Sequence, residues 1–388
     1  MFLQMHTLTS FHASLLNRDD AGLAKRIPFG DASRLRISSQ CLKKHWRDNL
    51  QELLELPDGL RTREFFSREV KRRLIDGKGI DGELAHSLVL ALAKGIIKSK
   101  GSPVNENTLK MEQPALFGRP EADFFVALLA ECTEAEDEKA AKAMLAERLK
   151  TDKNNFKAML CQAGHGNLYA GFEGALFGRF VTSDILARSD AAVHVAHAFT
   201  VHPVDTEVDY FTVVDDLSKD EETGAAHAGD MELGSGLFYE YVAVDIPLLV
   251  SNFTACEPQA WREQDAADVR TTLKALLKAV ATVSPGAKLG ATAPYAHADF
   301  ALLESGFQQP RSLANAYLQS LQFKAGDDPM QRAVDALGGH LQAVDRMYGA
   351  TADQRVAATT KEGGALADIQ LKSLDVAIDE TLNTIFGA

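Results

Sequence analysis

Residues 237–246, LFYEYVAVDI, decide the fold. Aromatic and β-branched side chains dominate this run, the composition that a pleated, half-buried surface accepts best. It is the strongest strand signal in the chain. Upstream, VDYFTVV (208–214) alternates apolar and polar residues and reads as another strand. Between the two, DDLSKDEETGAAHAGDMELGSG (215–236) is polar and rich in turn formers. A turn-rich hairpin at about 200–235 is the expected result.

Toward the N-terminus, LQMHTLTSF (3–11) alternates loosely and predicts a strand. A polar loop follows from Asn17 to Ser33, with Gly22, Pro28 and Gly30. Ser38 and Ser39 can then cap a helix to about Leu56. Its apolar positions Leu42, Trp46, Leu50, Leu53 and Leu54 fall on one helical face, and Pro57-Asp58-Gly59 ends it. From about Arg61 to Cys161 the patterns are helical almost throughout, with a loop at 101–120 that contains Gly101, Pro103, Pro114 and Pro120. A further helix is expected around Ala266 to Ala281, and the last stretch from Lys361 mixes glycines with helical periodicity. Sheet, helical block, sheet and helix in that order predict an α/β or α+β core carrying insertions.

The 388 residues are 46% hydrophobic and 24% charged, ordinary for a globular protein that needs no staples for its core. Cys41, Cys132, Cys161 and Cys256 are scattered without a C-x-x-C pair, which argues against a disulfide framework or a cysteine-rich zinc site. The start, MFLQMHTLTSF, lacks a basic region followed by an apolar run and does not read as a signal peptide. No apolar stretch approaches the roughly 18 residues of a membrane span. A cytoplasmic location is expected. Net charge is −13, which by itself speaks against nucleic acid. The charge is uneven, however. Residues 1–75 hold 14 basic and 9 acidic side chains, against 27 and 45 in the remainder. A basic N-terminal region sits on an acidic body.

That region contains the most informative motif. In RLRISSQCLKKHWR (34–47), Arg34 and Arg36 precede Ser38-Ser39-Gln40, and Lys43, Lys44 and Arg47 follow. A helix start carries free N–H groups and partial positive charge, so it favours acids over lysines. Lys43 and Lys44 break that rule, and a bound phosphate would reconcile it. An ordinary Ser cap beside a solvated basic face is the simpler alternative. Gly77-Lys78-Gly79-Ile80-Asp81-Gly82 matches G-x-G-x-x-G, but a charged helical segment precedes it instead of a strand. It reads as a helix C-terminal turn. His194, His197, His202 and Asp205 have metal-ligand chemistry, and the first two share a helix face only if AAVHVAHAF is helical. Asp19-Asp20 and Asp215-Asp216 have no nucleophile or base at readable spacing. Neither a G-x-S-x-G elbow nor a G-x-x-x-x-G-K-[ST] loop is present. Phe180, after Gly178-Arg179, and the pair Tyr210-Phe211 can stack on bases or pack in a core.

Taken in order, these segments resemble one family. LLNRDD (15–20), the basic loop to FG (25–30) and RISSQ-x-LK (36–43) look like the N-terminal signature of the type I-E CRISPR Cascade backbone protein, the CasC family. LFGRFVTSD (176–184), DAAVHVAHAFTVHPVDTEVDYFTVVDDL (190–217) and GSGLFYEY (234–241) are similar to its central region. PGAK (285–288) and SLANAY (312–317) look like further markers. The resemblance implies a right-hand shape. An RRM-like (ferredoxin-like) palm, residues 1–58 and 166–388, carries helical fingers at 59–165 and a β-hairpin thumb at about 200–235.

It also implies a non-catalytic subunit of a ribonucleoprotein in antiviral defence. Copies stack into a helical filament along the CRISPR guide RNA and displace a base at regular intervals. The remaining bases stay free to pair with target DNA, beside large, small, guide-end-capping and RNA-processing subunits. No cofactor or metal is implied, and no membrane. Carried over by motif, Arg18, Lys25, Arg36, Ser38, Gln40, Lys43 and Lys44 are expected on guide phosphates and riboses. Arg179 and Phe180 are expected beside the nucleotides. Tyr210, Phe211 and Thr212 are expected to cap or wedge at the displaced base, where Tyr210 replaces a family Trp and Phe180 an aliphatic residue. His202 and Asp215-Asp216 become thumb structure. Two alternatives stay open. One is a guide-processing endonuclease using His165 between Gly164 and Gly166, and the other is a metal hydrolase using His194, His197, His202 and Asp205.

Overall fold

The structure is a computed structural model that describes residues 1–97, 104–151, 168–179, 189–213, 227–361, 364–366 and 368–387. It is a mixed α+β protein. In chain order the strands are β1 (Phe2–Ser14), β2 (Arg26–Phe29), β3 (Ala32–Ile37), β4 (Gly59–Thr62), β5 (Ala115–Gly118) and β6 (Val193–Val195). There follow β7 (Ala198–Thr200), β8 (Thr206–Val213), β9 (His227–Asp245), β10 (Phe300–Gly306), β11 (Gln354–Thr359) and β12 (Gln370–Leu371). Helix α1 spans Ser39–Leu53. Two compact units emerge. The first comprises 1–53, 194–245 and 270–388, and the second comprises 54–193 and 246–269. This division differs from the expected boundaries at 58/59 and 165/166, because 168–179, 189–193 and 246–269 pack with the helical block.

The first unit is built on a ten-stranded sheet of order β12-β11-β10-β1-β9-β7-β3-β2, with β6 and β8 also paired to β9. β1 lies at its centre, antiparallel to β10 on one side and β9 on the other. Only β11–β12 is parallel among the described pairs. Alternation along β1 sorts its side chains onto two buried faces. Leu8 belongs to one, with Phe199, Tyr239, Phe300 and Leu302 from neighbouring strands and Val334 and Leu337 from the helix Pro329–Tyr348. Leu3 and Met5 belong to the other, which is covered by α1 and the helices Ala267–Thr282 and Leu374–Phe386.

Toward the N-terminal end of β1 the first face becomes polar. Glu304 on β10 is fully buried and saturated. Arg311 forks onto both carboxylate oxygens at 2.6 and 2.8 Å, Arg355 reaches Oε1 at 2.7 Å and His6 Nε2 lies 3.1 Å from Oε2. Arg355 in turn grips Asp345 at the end of the long helix. These bonds hold the Glu304 carboxyl well below the usual carboxylate range despite its burial. Burial keeps His6 neutral, so it donates from Nε2 and accepts the Tyr239 hydroxyl at Nδ1, 2.8 Å away.

The second unit holds the helical block, with a core around Phe65, Phe117 and Phe125. The Phe65 and Phe117 rings stack at 4.0 Å. The stretch REFFSREVKRRLI begins as a π-helix, Phe65–Lys71, and continues as the α-helix Arg72–Lys78. That helix stops at Gly79 in the left-handed conformation, so the G-x-G-x-x-G stretch starts as a helix C-terminal turn, as expected. Two short strands inside the block, β4 and β5, escape the sequence reading because four residues are too few to show a period. Among the described residues no helix is long and apolar enough to cross a membrane.

On the opposite face some buried polar atoms go unmet. Glu240 on β9 faces Thr7 across the β1 register, and Oε1 of the one and Oγ1 of the other are buried with no hydrogen-bond partner among the described residues. Phe11, Leu42, Phe238 and Val280 line the small cavity around that carboxyl. Burial pushes the Glu240 pKa up to about 8. A carboxyl with a raised folded pKa stabilises the fold below its unfolded pKa, and this contribution fades as pH rises through the folded value. Glu240→Gln therefore raises Tm at pH 9 by about 2–4 °C, the effect of roughly 1 kcal/mol in a domain of this size, and changes it little at pH 5. Thermal melts across that range check this, and an equal shift at both pH values contradicts it.

Candidate nucleic-acid interface

β1 leaves the sheet at Ser14, after a register irregularity between Phe11 and Ser14. The loop beyond it is shaped by short polar side chains. Asn17 accepts the Lys25 amide on its carbonyl at 2.8 Å and the Ser38 amide on Oδ1 at 2.9 Å. Asp19 Oδ1 collects the amides of Ala21 and Leu23, an Asx-type turn. The Arg36 amide bonds to the Lys25 carbonyl. The loop is thus stitched to β3 and to the start of α1. Gly30 sits at φ 64° in the β2–β3 turn, where any Cβ would lie only 1.6 Å from the Leu318 carbonyl.

These bonds gather the basic side chains. Arg36 Nη1 donates to His197 Nδ1 at 2.6 Å. Burial lowers the His197 pKa, and the Arg36 and Lys25 charges lower it further. Burial raises the Cys41 thiol pKa, and the charges of Lys25 and Lys44 oppose that rise. Lys44 pairs with Asp48 one turn on. Lys43 is half-buried, and loss of water lowers its pKa. The first turn of α1 holds no acid. Arg18 and Gln40 are exposed, and neither Arg18 nor Lys25 forms an ion pair among the described residues. Ser38 has a different place. It is buried, and its Oγ accepts the Cys41 amide at 3.3 Å as the helix cap. Arg34 is buried as well, donating to the carbonyls of Thr200 and Tyr317.

β8 and the first half of β9 form an antiparallel ribbon, from Thr206↔Gly234 to Val213↔His227. Residues 227–236, turn-rich by composition, are therefore strand. A ribbon with little core on either face tolerates polar residues and glycines. Tyr210 and Val208 share one side and are 68% and 63% exposed. Phe211 points the other way. Its ring lies across Gly229, where a Cβ would meet it at 2.7 Å, and the Lys288 ammonium sits 5.1 Å from its centroid. Of the adjacent aromatics, Tyr210 is the one presented outward. The strand placement of Thr212 is defined. The ribbon root is locked to the basic loop by Glu232, which accepts the Ala24 amide at 2.7 Å and pairs with Arg26.

In the second unit Arg179 is buried, bound to Glu121 at 2.6 Å and stacked over Tyr169. As placed it forms a buried ion pair, whereas the resemblance implies a position beside the nucleotides. Phe180, the stretch Gly164–Gly166 with His165, and Asp215-Asp216 lie outside the described residues. His194 is in β6, and His197 lies between β6 and β7, so the helical face that would join them does not form. His202 uses both ring nitrogens locally, on the Pro203 carbonyl and the Leu237 amide. The Asn17 anchor, the Glu232–Arg26 lock and the Lys288–Phe211 contact were not read from sequence. Each joins positions far apart in the chain, and only Asn17, a turn former ahead of a helix cap, left a local signal.

Comparison with known proteins gives two kinds of likeness. The sequence profile of the CT1975-like protein family matches residues 3–384. A solved chain described as "CRISPR RNA-guided surveillance complex, pre-nicking" superposes with a TM-score of 0.77 at 26% identity, covering 100% of both chains. A second, described as "CRISPR RNA-guided surveillance complex", gives 0.61 at 21% identity, again over 100% of both, and supports the fold alone. No curated protein matches the sequence.

Ser38 and Gln40 separate cap from surface. Ser38→Ala is expected to cost about 1 kcal/mol of stability, as loss of an N-cap does. Gln40→Ala, at an exposed position, should stay within about 0.5 kcal/mol of wild type. Urea unfolding of both variants tests this, and a Ser38→Ala chain as stable as wild type would remove the cap assignment.

Proposed function

The chain belongs to the CT1975-like protein family, and from that premise we propose that it is the repeated RNA-binding backbone subunit of a type I-E Cascade complex. The observation that carries this reading is the joining, within one unit, of a basic loop and an outward aromatic. The Arg36 amide is bonded to the Lys25 carbonyl, Lys44 lies in the early turns of α1, and the ribbon bearing Tyr210 is fastened to the same loop through Glu232. In this reading the sheet of the first unit, with β10, β1 and β9 antiparallel at its centre, is an RRM-like palm. The β8–β9 ribbon is the thumb, and the helical block is the fingers.

The division of labour follows from the chemistry. Arg18, Lys25, Arg36, Gln40, Lys43 and Lys44 hold guide phosphates and riboses, which fixes register without reading sequence. Ser38 acts through the helix start that it caps. Tyr210 wedges at a displaced base, where a large aromatic face replaces lost stacking. Phe211 backs the thumb, with Thr212 beyond it. Base pairing between guide and target DNA carries the specificity. The acidic total does not oppose this, because salt screens charges beyond about 8 Å at physiological ionic strength. Copies stack along the guide with the other Cascade subunits, in the cytoplasm, and the subunit itself does no chemistry.

Lys25→Ala with Lys43→Ala should weaken binding of guide-length RNA equally across guide sequences. The slope of log K against log salt should fall by about 1.4, two contacts at roughly 0.7 each for single strands. Binding titrations at several salt concentrations check this, and weakening confined to some guides would contradict it. Tyr210→Ala should leave RNA bound while blurring the regular spacing of nuclease protection on the assembled particle. Unchanged spacing would remove the wedge role.

A further inference from the structure

We propose that the loop from Ser284 to Ala296 is a further RNA contact, in which Lys288 binds a guide phosphate beside Phe211 of the β8–β9 ribbon. The inference rests on the function proposed above and adds a residue to it. The loop is closed at its neck by Ser284, whose Oγ donates to the Ala296 carbonyl and accepts the Ala296 amide, both at 2.9 Å. Pro285, Thr292 and Pro294 are buried inside it, and Gly286 lies against Pro294. It is a built loop, not a slack connection.

Two of its residues are strained. Lys288 has φ 55° and Ala293 φ 40°, both in the left-handed region that side chains with a Cβ disfavour. A glycine would relax either position. Strain of this kind persists where the surrounding structure fixes a side chain for use. What it fixes at Lys288 is an exposed ammonium, 5.1 Å from the Phe211 centroid. A ring face attracts the charge but leaves the three N–H donors unspent. Lys288 makes no ion pair among the described residues.

Its position completes the argument. The Ala287 amide donates to the Leu15 carbonyl at 2.9 Å, three residues before Arg18. Phe211 is the chain neighbour of Tyr210. Lys288 is therefore held between the basic loop and the ribbon, the two parts of the proposed interface. A cation there meets the RNA backbone as it passes from one to the other.

The test is binding of single-stranded, guide-length RNA by the full chain across 0.05–0.3 M salt. Lys288→Met keeps an apolar stem on the Phe211 ring and loses the charge. It should reduce the log–log salt slope by about 0.7 and weaken binding about fivefold at 0.1 M, which is that slope carried over one decade from 1 M. Lys288→Arg should restore both, and the melting temperature of all three proteins should agree. A Lys288→Met chain with wild-type slope and affinity overturns the inference and leaves Lys288 as a prop for Phe211. Wild-type chain that binds no RNA overturns the proposed function as well, so the two failures are distinct.

Discussion

The first unit depends on one buried carboxylate. Glu304 is taken out of water completely, and burying a lone carboxylate is prohibitive unless every lone pair is met. Arg311, Arg355 and His6 meet them, and Arg355 ties in Asp345. Each partner comes from a different part of the chain: β1, β11, the segment after β10 and the end of the long helix. Removing any one leaves the others buried and uncompensated, so the knot forms whole or fails whole. It fixes the order and register of β11, β10 and β1 at one end of the sheet.

The candidate interface lies at the other end. Gln4 on β1, opposite Glu304, and Leu15, just past the strand's end where the basic loop begins, are 11 residues apart, roughly 36 Å of extended chain at about 3.3 Å per residue. β1 is paired with β10 as far as Leu8 and with β9 as far as Ser14, which stiffens it along that length. β9 runs beside it and continues past its end as the ribbon. The strongest apolar strand and the exposed ribbon are thus one 19-residue strand. Anchorage at one end gives the ribbon a defined direction at the other, without a core of its own. Glu232 and the Phe211–Gly229 contact then set its root and its twist.

Much of this was legible in the sequence, and what was not has a physical reason. β1, α1, the 237–246 strand and the helix near 267–282 announce themselves because each buries one face, and burial imposes a period. Residues 227–236 read as turn because a two-sided solvated ribbon imposes none. The fate of individual arginines was hidden too. Arg34 and Arg36 lie two apart on β3 and share a face, yet Arg34 is sealed under the segment near Tyr317 and Arg36 stays half-open. Arg179 stands in a basic-looking motif but is consumed by Glu121 across 58 residues. Local pattern gives the parity of a side chain. What covers it is decided by chain that arrives from far away.

That distinction explains how a chain of net charge −13 is compatible with the phosphate-binding edge proposed for it. The buried arginines are spent inside, Arg34 on carbonyls and Arg179 on Glu121, and the partly buried Arg311 and Arg355 are spent on Glu304. A planar guanidinium suits such fixed forks, because its donors are pre-oriented for carboxylates and carbonyls. Along the proposed RNA path lysines recur: Lys25, Lys43, Lys44 and Lys288. An ammonium on a flexible stem is a point charge that accepts a phosphate from many directions. Under the proposed function that tolerance is useful, since a bidentate fork would favour particular geometries of the strand. The enclosed arginines serve the fold, while the open Arg18 and Arg36 and the lysines are the cations proposed for the ligand, so total charge predicts neither.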